Sequence, residues 1–244
     1  MSNQRFWEHE IETDLVLEKF YRYLGVKVAG ALKTLPISPN QITLTRIFWG
    51  AGIFYFLAFS EKFLLVSALI VLWKIADKTD GALARITGKG SKFGGWLDTL
   101  IDRVFWGVTL LGVTIAVYKD THNALPWLLL FAIVFGHTLF QNFTFLTTGE
   151  HPIVNWSTRR KSLQHTVHRR LRTTILYQTV FSIYYLSDQV VALALLLNSP
   201  VKNAVGLNTL LLTLLLFALF FAAASIYVIY NQYKMLTSEV GKEA

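Results

Sequence analysis

Apolar stretches recur along the chain at about residues 42–60, 63–84, 93–118, 124–146, 173–198 and 204–230. Each is near the roughly 20 residues that a helix needs to cross the hydrocarbon of a bilayer. No other feature restricts the fold as strongly. Charged residues are 16% of the chain, against roughly 25% in a soluble globular protein. The sequence therefore predicts an all-α, polytopic membrane helix bundle of about six transmembrane helices. One membrane domain over 41–234 is expected, preceded by a segment over 1–40 and followed by a short tail over 235–244.

The segment ahead of the first span is different in kind. Over 13–34, apolar Leu17, Phe20, Leu24, Val28 and Leu32 recur at helical spacing, with Lys19, Arg22, Lys27 and Lys33 between them. That pattern predicts an amphipathic helix lying in the membrane interface. Leu35-Pro36-Ile37-Ser38-Pro39-Asn40 ends it, because proline fixes φ and removes a donor. The first residues are polar and acidic, without the apolar core and small-residue cleavage site of a signal peptide.

Basic residues orient the bundle. Lys62, Lys119 and Lys202 fall in the turns on one side. Lys89 and Lys92, the N-terminal segment, and the cluster Arg159, Arg160, Lys161, Arg169, Arg170 and Arg172 fall on the other. Lysine and arginine mark the cytoplasmic side. Both termini and the long basic loop are thus expected in the cytoplasm. The net charge of +8 reads as contact with anionic headgroups and not with nucleic acid. The chain has no cysteine, which excludes disulfides, thiolate metal sites and cysteine nucleophiles.

Within this apolar chain stand four aspartates, in Asp77-Lys-Thr-Asp80-Gly81-Ala-Leu-Ala84-Arg85 and Gly94-Gly-Trp-Leu-Asp98-Thr-Leu-Ile-Asp102. An ionisable residue inside a membrane is expensive to bury and points to function. Asp77 and Asp80 are three apart and Asp98 and Asp102 four apart, so each pair shares one helix face. Gly88 and Gly90 lie between the pairs, where the chain can reverse. An antiparallel helix pair with four converging carboxylates follows. Such a group repels itself unless a cation neutralises it. Ligands that are all oxygen suit Mg²⁺, Ca²⁺ or Mn²⁺ and not zinc. Two divalent ions clamping the attacking and leaving oxygens are the usual device for phosphoryl displacement. Arg85 is placed to meet a phosphate in the same cavity. The plainer reading pairs Asp80 with Arg85, or Asp102 with Arg103; it explains one carboxylate and not four.

The pattern Asp-x2-Asp-Gly-x2-Ala-Arg-x8-Gly-x3-Asp-x3-Asp resembles the signature of the CDP-alcohol phosphotransferases, with every fixed position present. The signature covers only residues 77–102. Pro39-Asn40-Gln-Ile-Thr43-Leu-Thr-Arg46 resembles the family's Pro-Asn-x-x-Thr lead-in to the first membrane helix. The resemblance implies that Asp77, Asp80, Asp98 and Asp102 hold two divalent cations, Mg²⁺ or Mn²⁺. It implies that Asp102 is also the general base on the acceptor hydroxyl; the residues alone do not say which of the four is. It further implies that Gly81, Arg85, Ser91, Asn40 and Thr43 contact the CDP moiety, and that the protein is a homodimer.

The expected reaction is transfer of a phosphatidyl-type group from a CDP-linked lipid, such as CDP-diacylglycerol, to a polar alcohol, with release of CMP. Arg169, Arg170 and Arg172 stand at the cytoplasmic start of the fifth span, where a water-soluble acceptor would arrive. A phosphorylated acceptor such as inositol phosphate or glycerol phosphate would suit them; ordinary positive-inside charge would account for them equally. Two alternatives compete with the reaction as a whole. A CDP-choline or CDP-ethanolamine:diacylglycerol transferase would run with the donor and acceptor roles of the lipid reversed. A cation transporter would use the aspartates as ion ligands, but no inverted repeat or broken helix is visible.

Overall fold

The structure, a computed structural model, describes residues 16–148 and 187–240. Among these residues there are seven α-helices, one π-helical turn and no strand. The chain divides into two compact units, Met1–Gly112 and Val113–Ala244.

The first unit holds α1 (Val16–Leu32), α2 (Pro39–Tyr55), a π-helical turn (Phe56–Ser60), α3 (Phe63–Thr87) and most of α4 (Lys92–Thr121). Helix α2 starts where the sequence breaks α1. The Ser38 hydroxyl accepts from Gln41 N–H, the Gln41 side chain accepts from Ser38 N–H, and Pro39 occupies the first turn. This reciprocal cap satisfies two otherwise unpaired donors. Thr43, Arg46, Gly50 and Ile53, three or four apart, form the buried face of α2. Leu44, Ile47, Phe48 and Tyr55 stay exposed, as the lipid-facing side of a membrane helix does.

Helix α3 buries Val66, Ile70, Trp73, Asp77 and Asp80 on one stripe. It stops at Gly88, whose φ of 68° is the left-handed conformation that glycine adopts without strain. Gly88 N–H donates to Arg85 O and Lys89 N–H to Ala84 O, the paired bonds of a Schellman ending. Three residues later the chain re-enters a helix, and the Ser91 hydroxyl accepts from Gly94 N–H at 2.9 Å. The expected helix–turn–helix is thus present.

Helix α1 packs against α3 through a face other than its apolar stripe. Leu17, Phe20 and Val28 are exposed, whereas Glu18, Tyr21, Gly25, Val26 and Ala29 are buried. Val26 and Ala29 pack with Ala82 and Leu83 of α3, and Leu32, Ile42 and Ile86 close around them. At Gly25 the helices touch: a Cβ there would stand 2.6 Å from Lys78 Cβ and 2.7 Å from its carbonyl carbon. The packed face is the one that carries the buried carboxylate and the small residues, which permit close approach.

Three described helical stretches are long and apolar enough to cross a membrane: Pro39–Ser60, Lys92–Thr121 and Thr209–Tyr227. Leu125–Phe140 is a further apolar stretch, part of a helix that continues to Thr148. These stretches account for part of the expected six spans, whose full count the described residues do not cover. Helix α3 falls short because it carries Lys74, Asp77, Lys78, Asp80 and Arg85. The fifth expected span lies largely outside the described residues, as do Arg169, Arg170 and Arg172.

The second unit contains α5 (Leu125–Thr148), α6 (Ser187–Val205) and α7 (Thr209–Val240). Ser225 of α7 donates its hydroxyl to Gly136 O of α5 at 2.8 Å. Thr209 ties α7 to α6 through Ala194 O, at 2.7 Å, and Asn198 Oδ1, at 3.1 Å. Lys202 and Asn208 both donate to Asp120.

Candidate metal and phosphate site

The site lies wholly in the first unit, where α2, α3 and α4 meet. Its centre is Arg46, the last residue of the lead-in to the first membrane helix. The guanidinium is fully buried and ion-paired to all four aspartates. Nη1 lies 3.1 Å from Asp80 Oδ2 and 2.6 Å from Asp98 Oδ1. Nη2 lies 3.0 Å from Asp77 Oδ1 and also donates to Asp102 Oδ1. All four carboxylates share one cation that is distant from them in sequence. One arginine from another helix serves the whole group, because its two terminal nitrogens can each bridge two carboxylates.

The arginine is itself held. Its guanidinium lies 4.2 Å from the centre of the Trp73 ring, a cation–π contact. Trp73 in turn stacks on Phe105 at 3.7 Å and an interplanar angle of 12°. Among the described residues no acceptor meets Arg46 Nε, so its hydrogen bonding runs through the two terminal nitrogens.

The four carboxylates are not equivalent. The side chains of Asp77 and Asp80 are 6% and 4% exposed, and those of Asp98 and Asp102 are 39% and 44% exposed. The α3 pair thus forms the floor and the α4 pair the open wall. Both oxygens of Asp80 are bound to protein. Its Oδ2 accepts from the Thr43 hydroxyl at 2.8 Å as well as from Arg46, and its Oδ1 accepts from Gly81 N–H at 2.6 Å. Asp77 faces two further cations: Lys78 Nζ lies 2.9 Å from Asp77 Oδ2 and 3.1 Å from Glu18 Oε1 of α1, and Lys74 Nζ lies 3.9 Å from Asp77 Oδ2. Glu18 also accepts from Arg22 at 3.1 Å. Burial alone would raise the Glu18 pKa, but Lys78, Lys74 and Arg22 outweigh it and hold the carboxyl below its ordinary value.

Asp77, Asp98 and Asp102 each offer an oxygen, and the three lie within 4.8 Å of one another. An all-carboxylate set of this size, open on one side, fits a hard divalent cation. The remaining residues expected at the site fall around this centre. Thr43 touches Asp80, as above. Asn40, one turn before Thr43, projects at Gly94, one turn before Asp98; a Cβ on Gly94 would stand 2.7 Å from Asn40 Oδ1 and 3.1 Å from Ser91 Oγ. Asn40 and Ser91 therefore share one corner. Arg85 folds back over Gly81, where a Cβ would lie 3.3 Å from its Nη1.

Sequence reasoning passed over Arg46, Trp73, Lys78 and Glu18. A signal existed for two of them: a cation inside an apolar span needs a partner, and neither Arg46 nor Lys78 is explained by the signature.

A family model described as CDP-alcohol phosphatidyltransferase matches residues 36–237. An archaetidylinositol phosphate synthase of Pyrococcus horikoshii is 36% identical over 94 residues, 36% of this chain and 47% of that one. A phosphatidylinositol phosphate synthase of Corynebacterium glutamicum is 32% identical over 87 residues, 36% and 40% of the two chains. A CDP-diacylglycerol–serine O-phosphatidyltransferase of Helicobacter pylori is 32% identical over 124 residues, 50% and 51% of the two. The chain spans about half the length of the curated relatives it matches.

Proposed function

The chain belongs to the CDP-alcohol phosphatidyltransferase family, and on that premise we propose that it transfers a phosphatidyl-type group from a CDP-linked lipid to the hydroxyl of a polar alcohol. The observation that carries this is the convergence of the four signature aspartates on one point, with Asn40, Thr43, Gly81, Arg85 and Ser91 around them. A structural cluster would have no use for the open side or for the polar residues at its edge.

In the proposed reaction the acceptor oxygen attacks the phosphorus that bears the lipid. A new P–O bond forms, the bond to the bridging pyrophosphate oxygen breaks, and CMP leaves. Asp77, Asp80, Asp98 and Asp102 would hold two divalent cations, Mg²⁺ or Mn²⁺, which when bound supply charge neutralisation at the pyrophosphate. Asp102 takes the proton of the attacking hydroxyl. Its side chain, with that of Asp98, is the more exposed of the four, and a general base must be within reach of its substrate. Arg85 pairs with the pyrophosphate, and Asn40 and Ser91 orient the cytidine end. Glycine at 81 and 94 leaves the space for Arg85 and Asn40. Catalysis in this scheme comes mainly from positioning and electrostatics.

The acceptor proposed is a phosphorylated polyol of the inositol phosphate type. Two relatives carry names for inositol phosphate products, and Arg169, Arg170 and Arg172 supply a basic cluster suited to a phosphate. The serine named for the third relative is the second reading. The active site and both termini are proposed to face the cytoplasm, α1 to lie in the interface, and the protein to work as a homodimer. The test is an acceptor panel: purified protein in liposomes with CDP-diacylglycerol and Mg²⁺ or Mn²⁺. Inositol phosphate, glycerol phosphate, serine and free inositol are offered separately, and CMP and lipid product are followed together. CMP formed mole for mole with a phosphoinositide phosphate supports the assignment. Product with serine alone replaces the acceptor, and no CMP with any alcohol rejects the reaction.

A further inference from the structure

We propose that Arg46 is the resident counter-cation of the aspartate cluster, competing with divalent ions for the same carboxylate oxygens and so setting how much metal the site requires. The inference rests on the reading of the cluster as a divalent-cation site.

The guanidinium pairs with every carboxylate that could ligate an ion, including all three whose oxygens converge, Asp77, Asp98 and Asp102. A divalent ion bound there shares its ligands with a fixed positive charge a few ångströms away. Arg46 is completely buried, so water does not screen that repulsion as it would at a surface. The arginine also cannot drift off. The Trp73 ring, itself stacked on Phe105, supports its plane. Asp80, fixed by Thr43 and by Gly81 N–H, anchors Nη1 at the floor. Asp98 and Asp102 are different: they are half-exposed and come from another helix. The exchange therefore has a direction. Asp98, Asp102 and Asp77 are the carboxylates Arg46 would give up to an ion, while it would stay on Asp80 and Trp73. Until then the arginine keeps four like charges together, which otherwise repel. Removing it should therefore have two opposite effects: weaker folding without metal and tighter binding of metal.

Binding is measured directly, without turnover, as Mn²⁺ affinity by electron paramagnetic resonance at pH 8 in detergent, for wild type, Arg46→Gln and Arg46→Lys. At that pH, protons compete least with the metal. Arg46→Gln should bind Mn²⁺ about tenfold more tightly or better, the effect of removing a like charge held close. Arg46→Lys should fall between, because one ammonium cannot serve two carboxylate pairs at once. Thermal unfolding supplies the second readout: Arg46→Gln should unfold at lower temperature in chelator and gain more from Mn²⁺ than wild type does. If Arg46→Gln cannot be purified, tighter Mn²⁺ binding by Arg46→Lys carries the proposal, and unchanged binding overturns it. Mn²⁺ affinity unchanged or weakened in Arg46→Gln also overturns it while leaving the metal site intact. Absence of Mn²⁺ binding in wild type and variants alike rejects the metal site itself, and this inference with it.

Discussion

Gly94 keeps open the room that the Asn40 side chain fills: a Cβ on the glycine would stand 2.7 Å from Asn40 Oδ1. The atom in the way is the end of a side chain, which can turn aside cheaply. Gly94→Ala should therefore fold with a stability within about 1 kcal/mol of wild type, while Asn40 swings from its place. If Asn40 orients the cytidine end, the KM for the CDP-lipid rises several-fold with a smaller change in kcat. Steady-state kinetics against donor concentration, set beside thermal unfolding, checks both halves.

The same substitution at Gly25 should do the reverse. Its Cβ would meet Lys78 Cβ at 2.6 Å and the Lys78 carbonyl carbon at 2.7 Å, and backbone inside a helix cannot turn aside. Helix α1 must move off α3, breaking the contacts of Val26 and Ala29 with Ala82 and Leu83. Gly25→Ala should destabilise by about 1–3 kcal/mol, the usual cost of overpacking. A drop of several degrees in the unfolding temperature in detergent would show it.

Glu18 makes stability depend on pH in a defined direction. Its folded pKa is depressed, so its contribution is present above the unfolded value of about 4.3 and lost as pH falls through the folded value. Glu18→Gln removes that contribution and leaves Lys78 with Asp77 alone. The variant should be less stable than wild type at neutral pH by about 1–3 kcal/mol. The gap should close as pH falls below about 4. Unfolding temperatures of the two proteins across pH 3 to 8, with about pH 4 as the predicted crossover region, check the sign.

Thr43→Val deletes the hydroxyl that donates to Asp80 Oδ2 at 2.8 Å and keeps the side-chain volume. The loss should be about 1–2 kcal/mol, since Arg46 and Gly81 N–H still reach the carboxylate. Thermal unfolding in chelator measures it without involving turnover.

What could be read from the sequence was what is local in it. The pairs Asp77–Asp80 and Asp98–Asp102, the reversal at Gly88 and the break before Pro39 all depend on residues a few positions apart, where helix geometry and glycine conformation decide the outcome. The centre of the site depends on distance. Arg46 is separated from Asp80 by 34 residues and from Asp102 by 56, and no periodicity connects them. Helix α1 shows the same limit in another form. Counting apolar residues selected Leu17, Phe20, Leu24, Val28 and Leu32 as a membrane-facing stripe; Leu17, Phe20 and Val28 are exposed, whereas Leu24 is half-buried and Leu32 packs against the core. It could not select the packed face, because that face is set by a long-range pair, Glu18 with Lys78, and by a glycine that leaves room for it.

In the proposed function the convergent carboxylates are one metal-dependent transfer site with Asp102 as its base. The most direct measurement is CMP release from CDP-diacylglycerol in liposomes by wild type and Asp102→Asn, each with Mn²⁺ and with excess chelator. Wild type should release CMP only with the metal and an acceptor. Asp102→Asn, nearly the same in shape but unable to take a proton, should be slower by at least about 100-fold. CMP release by Asp102→Asn at the wild-type rate, or by wild type in chelator, would contradict the account.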